Sequence, residues 1–224
     1  MHLFSLQVCK KWLNLFRKIS EADSFRGSST AEKFKRFLTA ACQHQSIAQD
    51  MRLTHRPINQ SDVRIVCGFP QSEEELFFLF PKASFPLTQV QLQETILKRS
   101  DSTIVEADGV VAGFANFYKW EFGGNCSIGN VIVSPSSRGY GVGRYLIECM
   151  IETALSKYKA RHVSISCFNM NVIGLLLYSK LGFKPCDVEE RKDNRGNRVA
   201  LIHMILHQDR TDPKHPRGSP DANN

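Results

Sequence analysis

Residues Asn130–Met150 read "NVIVSPSSRGYGVGRYLIECM". A β-branched run meets Pro135, and Gly139, Gly141 and Gly143 then fall at alternate positions. A helical pattern follows at once, with Val142, Leu146, Met150, Ala154 and Tyr158 on one i, i+4 ladder. A strand therefore hands over to a helix through a turn of small residues. Such a turn lets backbone N–H groups approach an anion, and the helix N-terminus adds partial positive charge. Arg138 and Arg144 flank the turn and can supply full charge. Two common phosphate loops fit badly. A P-loop ends in Gly-Lys-Ser/Thr, whereas Gly143 is followed by Arg144 and Tyr145; the dinucleotide fingerprint is G-x-G-x-x-G, whereas the spacing here is G-x-G-x-G. Taken alone, the stretch also reads as a glycine-rich connector without a ligand.

Working outward, "MRLTHRPINQSDV" from Met51 predicts a short strand and a helix start. "QSEEELFFLF" and "LTQVQLQETILKR" read as helices. "STIVEA" and "VVAGFANFYKW" read as strands joined at Asp108-Gly109, a strong hairpin signal. "CSIGNVIVS" is the next strand and residues 140–158 the helix after it. "HVSISC" alternates, with Val163, Ile165 and Cys167 on one face. "NVIGLLLYSKL" is a short helix stopped by Gly182, and "VALIHMIL" a last strand. This order of elements predicts an α+β domain with a mixed central sheet flanked by helices.

Residues 1–50 read as a helical or disordered N-terminal extension, residues 51–207 as the domain, and residues 208–224 as a disordered, proline-bearing tail. Of the net charge of +7, the first fifty residues carry +4, from 8 basic and 4 acidic groups. That density falls short of the basic stripe with interleaved aromatics that a nucleic-acid binder shows, so no nucleic-acid partner is expected. A basic amphipathic helix around Leu6, Cys9, Leu13 and Phe16 can also lie on a membrane or pack on the domain. No apolar run approaches the roughly 20 residues that span a bilayer, and no secretory signal is evident. Seven scattered cysteines without a C-x-x-C pair point to free thiols in a reducing, cytoplasmic setting rather than to a disulfide framework or metal site.

Two motifs then combine. Arg138, Gly141 and Gly143 make R-x-x-G-x-G behind the "V-x-V-x-P" of Val131, Val133 and Pro135. About 30 residues on, "NVIGLLLYSKLGFKP" carries Asn171, Leu177, Tyr178, Lys180, Leu181, Gly182 and Phe183 in the register N-x-x-A-x-x-L-Y-x-K-L-G-F, with Gly174 in the Ala position. Together these resemble the GNAT superfamily of N-acetyltransferases, over roughly Met51 to Leu206. The resemblance implies splayed strands forming a coenzyme A cleft, and acetyl-coenzyme A as co-substrate. It implies that Val131, Ile132 and Val133 pair with the pantetheine arm. It also implies that the amides of Arg138, Gly139, Tyr140, Gly141, Val142, Gly143 and Arg144 wrap the pyrophosphate.

The reaction so implied is direct attack of a primary amine, on a small molecule or a protein, upon the thioester. The amine must lose a proton, the oxyanion needs a donor near Val131, and the leaving thiolate benefits from an acid. Tyr178 is the acid by motif position; its plainer reading is a core aromatic. Asn171 either bonds the pantetheine or caps its helix. Many relatives carry a base glutamate on the strand before the loop, but Cys126-Ser127-Ile128-Gly129-Asn130 has no carboxylate. Glu121 is the nearest acid, and Asn130 can position a water instead. Glu73, Glu74 and Glu75 line the acceptor side or form a solvated helix face; Tyr118 and Trp120 wall that side or pack on the sheet. The competing class is a non-catalytic acyl-coenzyme A-binding module on the same fold. A monomer or homodimer is expected.

Overall fold

The computed structural model describes residues 51–207. The expectations for residues 1–50 and 208–224 lie outside the described residues. A seven-stranded sheet is built from β1 (Leu53–Pro57), β2 (Ser100–Ala107), β3 (Val110–Lys119), β4 (Asn125–Val133), β5 (His162–Phe168), β6 (Lys184–Lys192) and β7 (Arg198–His207). The strand order is β1-β2-β3-β4-β5-β7-β6. Only β4 and β5 run parallel, because α4 (Val142–Ser156) crosses between them; the other neighbours are antiparallel. The β2–β3 hairpin turns at Asp108 and Gly109, both with positive φ (51° and 80°), as a two-residue turn of that hand requires.

Before β2 lie α1 (Gln60–Cys67), α2 (Glu73–Leu79) and α3 (Gln89–Leu97). Each starts on a side-chain cap: Asn59 and Thr88 form capping boxes with Asp62 and Gln91, and the Ser72 hydroxyl accepts from the Glu75 amide. Their apolar residues Val63, Val66, Leu76, Leu79 and Leu92 pack with Ile104, Phe114 and Ile132 on one face of the sheet. Each such side chain contributes roughly 1.5–3 kcal/mol by leaving water. On the opposite face lies α4: a Cβ at Gly113 of β3 would meet Val142 at 3.2 Å and Leu146 at 3.4 Å. The last helix, α5 (Val172–Lys180), reaches α4 there: a Cβ at Gly143 would meet Leu177 and Val133, each at 3.4 Å.

Strand β6 has no counterpart among the elements legible in the sequence. It is the sheet edge, exposed along nearly its whole length and rich in charge. It therefore lacks the apolar alternation by which half-buried strands are recognised, and charged side chains suit an unpaired edge.

Candidate active site

Strands β4 and β5 pair from Asn125↔His162 to Ile128↔Ile165 and then part. Strand β4 runs on to Val133 and β5 to Phe168, so a fork opens between Gly129–Val133 and Ser166–Phe168. The cause is local. On the β3 side, Asn130 and Val131 together face the single residue Ala115, which is a bulge. Asn130 adopts φ 54°, a conformation asparagine tolerates better than most residues. Its Nδ2 donates to the Leu79 carbonyl at 2.7 Å, at the C-terminal end of α2. The bulge is thus tied to a helix end that needs acceptors satisfied. The main chain of Val131, Ile132 and Val133 forms the β4 arm of the fork, while the Ile132 side chain is buried in the core.

The loop beyond β4 begins with a 3-10 turn at Pro135–Ser137. Gly139 and Gly141 have φ of 85° and 87°, and a Cβ on either would meet nothing within 4 Å. Their glycines are demanded by the backbone conformation, not by crowding from the rest of the chain. Gly141 is the N-cap of α4 and offers no side chain to the helix end, so the first-turn amides of Val142, Gly143 and Arg144 are left for another acceptor. Tyr140 is half-buried between the two glycines.

The flanking arginines are otherwise engaged. Arg138 forks onto Glu75 of α2 (Nη1–Oε1 2.7 Å, Nη2–Oε2 3.0 Å), and its Nε donates to the Val133 carbonyl at 3.2 Å. Arg138 holds the Glu75 carboxyl below the usual range, against burial. Arg144 pairs with Glu148 one turn along α4. As the chain stands, Arg138 ties the loop to α2 and Arg144 is held along its own helix.

Tyr178 is buried, edge-on to Phe183 with ring centroids 6.3 Å apart. Burial, and then the nearby Cys167, push its phenol above the ordinary range, and burial pushes the Cys167 thiol up to about 12. Both groups stay neutral at ordinary pH. They lie on the α4–α5 side, where Cys167 follows the fork by two residues. Asn171 caps α5, its Oδ1 accepting from the Gly174 amide at 2.9 Å. A Cβ at residue 174 would come within 2.8 Å of the Asn171 amide, so glycine there is not neutral: it lets Asn171 fold back onto its own helix. Glu121 is not brought to the fork. It is exposed in the β3–β4 turn, next to the end of β4 where β4 and β5 are paired, eight residues before the fork opens at Gly129.

On the α2 side of the sheet, side chains from several strands converge that sequence reasoning did not join. Tyr118 Oη is 3.4 Å from Ser166 Oγ, Ser166 Oγ is 2.9 Å from His203 Nδ1, and His203 Nε2 is 3.5 Å from Glu189 Oε2. Beyond them Phe77 stacks on Phe168 (4.5 Å), with Val199 and Leu201 completing an apolar cluster. A cavity of about 310 Å³ opens there, lined by Glu73, Glu74, Phe77, Met170 and the β6–β7 turn from Asp193 to Asn197. Trp120 is exposed past the end of β3.

Residues 70–183, just over half of the chain, match the acetyltransferase (GNAT) family. Over 85 residues the chain is 31% identical to a streptothricin acetyltransferase of Streptomyces lavendulae, covering 38% of this chain and 44% of that protein. The chain thus matches less than half the length of that curated relative. The fold is shared with spermidine N-acetyltransferase from Vibrio cholerae, solved with CoA and spermine (TM-score 0.59, 17% identity, 70% of this chain and 95% of that one). It is also shared with ribosomal-protein-alanine N-acetyltransferase from Brucella melitensis (TM-score 0.55, 16% identity, 69% and 99%). The forked sheet, the glycine loop at a helix N-terminus and the match across them converge on one conclusion: this chain belongs to the acetyltransferase (GNAT) family.

Proposed function

We propose that residues 51–207 form an acetyltransferase domain that moves an acetyl group from acetyl-coenzyme A to a primary amine by direct attack. The observation that carries this reading is the fork between β4 and β5. It leaves one strand's main chain open to a pantetheine arm, with the uncapped end of α4 beyond it. In the reading, the Val131–Val133 backbone pairs with the arm, and the amides from Arg138 to Arg144 surround the pyrophosphate. A main-chain N–H near Val131 receives the oxyanion. Tyr178, neutral at working pH, protonates the departing thiolate. Asn171 serves as a helix cap, and Asn130 shapes the bulge. Glu121 has no part.

The acceptor reaches the fork from the α2 side. Glu73, Glu74 and Asp193 outnumber Arg195 around the cavity, and the negative balance suits an amine with further positive charge. Free cysteines at 67, 126, 149, 167 and 186 suit a cytoplasmic setting. Among the described residues, no helix is long and apolar enough to cross a membrane.

Calorimetry of the full chain with acetyl-coenzyme A, followed by thiol release with spermidine, streptothricin and an alanine-terminated peptide, tests the proposal. Binding with turnover of at least one amine is expected. Binding without thiol release from any of them favours a non-catalytic coenzyme-binding module, and no binding overturns both readings.

A further inference from the structure

The base that deprotonates the amine is missing from β4, where Gly129 and Asn130 stand in place of a carboxylate. We propose that Ser166, His203 and Glu189 supply it as a proton relay on the α2 side of the fork. The proposal rests on the acetyl-transfer reading above.

Four observations carry it. The first is position: Ser166 is the first residue of β5 past the last β4–β5 pair, so its hydroxyl lies at the opening itself. The second is register: Ser166 and His203 are directly opposed across β5 and β7, which puts both side chains on one face. Phe168 is two residues beyond Ser166 on that same face and packs against Phe77 of α2, so the face is the acceptor's. The third is chemistry. Glu189 Oε2 lies 3.5 Å from His203 Nε2 and favours the tautomer with its proton there. Nδ1 is then the acceptor for the Ser166 hydroxyl at 2.9 Å. The fourth is the way Tyr118 reaches the group from β3. Its ring crosses β4 at Gly129, where a Cβ would come within 2.9 Å of it, and its hydroxyl lies 3.4 Å from Ser166. A residue with a side chain at 129 would block that path.

The ammonium of the acceptor gives one proton to Ser166 Oγ while the Ser166 proton passes to His203 Nδ1. The imidazolium so formed faces the Glu189 carboxylate. The free amine attacks the thioester carbonyl carbon, the C–S bond breaks, and the nitrogen's second proton leaves with the thiol by way of Tyr178. His203, part-exposed, returns the first proton to solvent. Other charged groups around it are few. Asp187 stands opposite His203 on β6, the Cys186 thiol donates to the His203 carbonyl at 3.4 Å, Arg99 lies over the Tyr118 ring at 5.3 Å, and α2 brings the aromatic Phe77 and Phe78 against Phe168 at the end of this face.

The test compares the full chain with Ser166→Ala, His203→Gln, His203→Gly and Glu189→Gln, using acetyl-coenzyme A and whichever of spermidine, streptothricin or the alanine-terminated peptide the native chain accepts. Acetyl-coenzyme A affinity is expected to stay within about twofold. Turnover at neutral pH is expected to fall roughly 100-fold in His203→Gln and Ser166→Ala, the scale of general-base catalysis, and less in Glu189→Gln. The acid limb of the kcat/KM profile should be replaced in His203→Gln by a rate that keeps rising with hydroxide, and added imidazole should restore turnover to His203→Gly. Variants that bind coenzyme and keep both native turnover and the native pH profile overturn the relay and leave acetyl transfer standing. A native chain that transfers acetyl to none of the amines overturns acetyl transfer, and the relay falls with it.

Discussion

The two sides of the sheet are built in different ways. On the α4–α5 side the features read as coenzyme-binding come from one continuous stretch, Val131 to Arg144, and act through the main chain. On the α2 side the features read as acceptor-binding come from β3, β5, β6, β7 and α2, and act through side chains paired over long separations: Tyr118 with Ser166, and Ser166 with His203. A cofactor of fixed shape can be held by a short backbone device. A site chosen for one acceptor must be assembled from side chains, which vary freely. Coenzyme binding on the first side should therefore be insensitive to charge and pH, Tyr178 alone bringing a titrating group there, and acceptor binding on the second dependent on both.

The largest expected effect is chemical. Tyr178→Phe keeps the ring packed on Phe183 and removes only the hydroxyl; turnover should fall roughly 10- to 1000-fold with coenzyme affinity nearly unchanged. Because burial keeps this phenol neutral beyond its ordinary range, the alkaline limb it causes should lie above that range in the native chain and vanish in the variant. Full activity of the variant across pH would make Tyr178 a packing residue and strip this side of its side-chain chemistry.

Next comes the loop. Gly141→Val forces a β-branched residue to φ 87° in open space, at a cost of order 1–3 kcal/mol. Calorimetry should show acetyl-coenzyme A binding about 10- to 100-fold weaker, with the melting transition lowered by roughly 3–10 °C but still cooperative. Unaltered affinity would remove the loop from the coenzyme site.

The α2 side is probed through its ionic scaffold. Buried Asp62 at the start of α1 takes two bonds from Arg56 (2.6 and 2.9 Å) and one from the Asn59 amide (2.8 Å). Arg56 first, and that amide after it, hold its carboxyl below the usual range against burial. Asp62→Asn should cost about 2 kcal/mol in urea unfolding, less than a fully buried pair because Arg56 is one-third open. The folded-state values of Asp62 and Glu75 are both lowered. Their stabilisation is therefore complete above the ordinary carboxylate range and is lost as pH falls through it toward the lowered values. The Asp62→Asn deficit should shrink on acidification, and a deficit constant with pH would contradict the assignment.

The smallest effect concerns α5. Gly174→Ala introduces a Cβ that displaces the Asn171 amide from its capping position. Losing a cap costs about 1 kcal/mol while alanine in the helix returns roughly as much. Stability should thus hardly move, whereas coenzyme affinity should change a few-fold if the displaced amide reaches the fork. Identical affinity would leave Asn171 as a cap alone.

The sequence by itself determined the elements whose signals are local: the hairpin at Asp108-Gly109, the strand–turn–helix from Val131 onward, the α5 motif, and through them the family. Each depends on backbone conformation or periodicity within a few residues, which composition at fixed spacing can encode. Tertiary structure decided the rest. It showed β6 as a strand, because an exposed edge needs no apolar alternation. It turned Arg138 toward Glu75, 63 residues earlier. It left Glu121 at the closed end of the sheet and brought Ser166, His203 and Glu189 together from three strands. The pairing of β5 with β7, and of β7 with β6, sets which side chains share a face, and no spacing along the chain specifies that register.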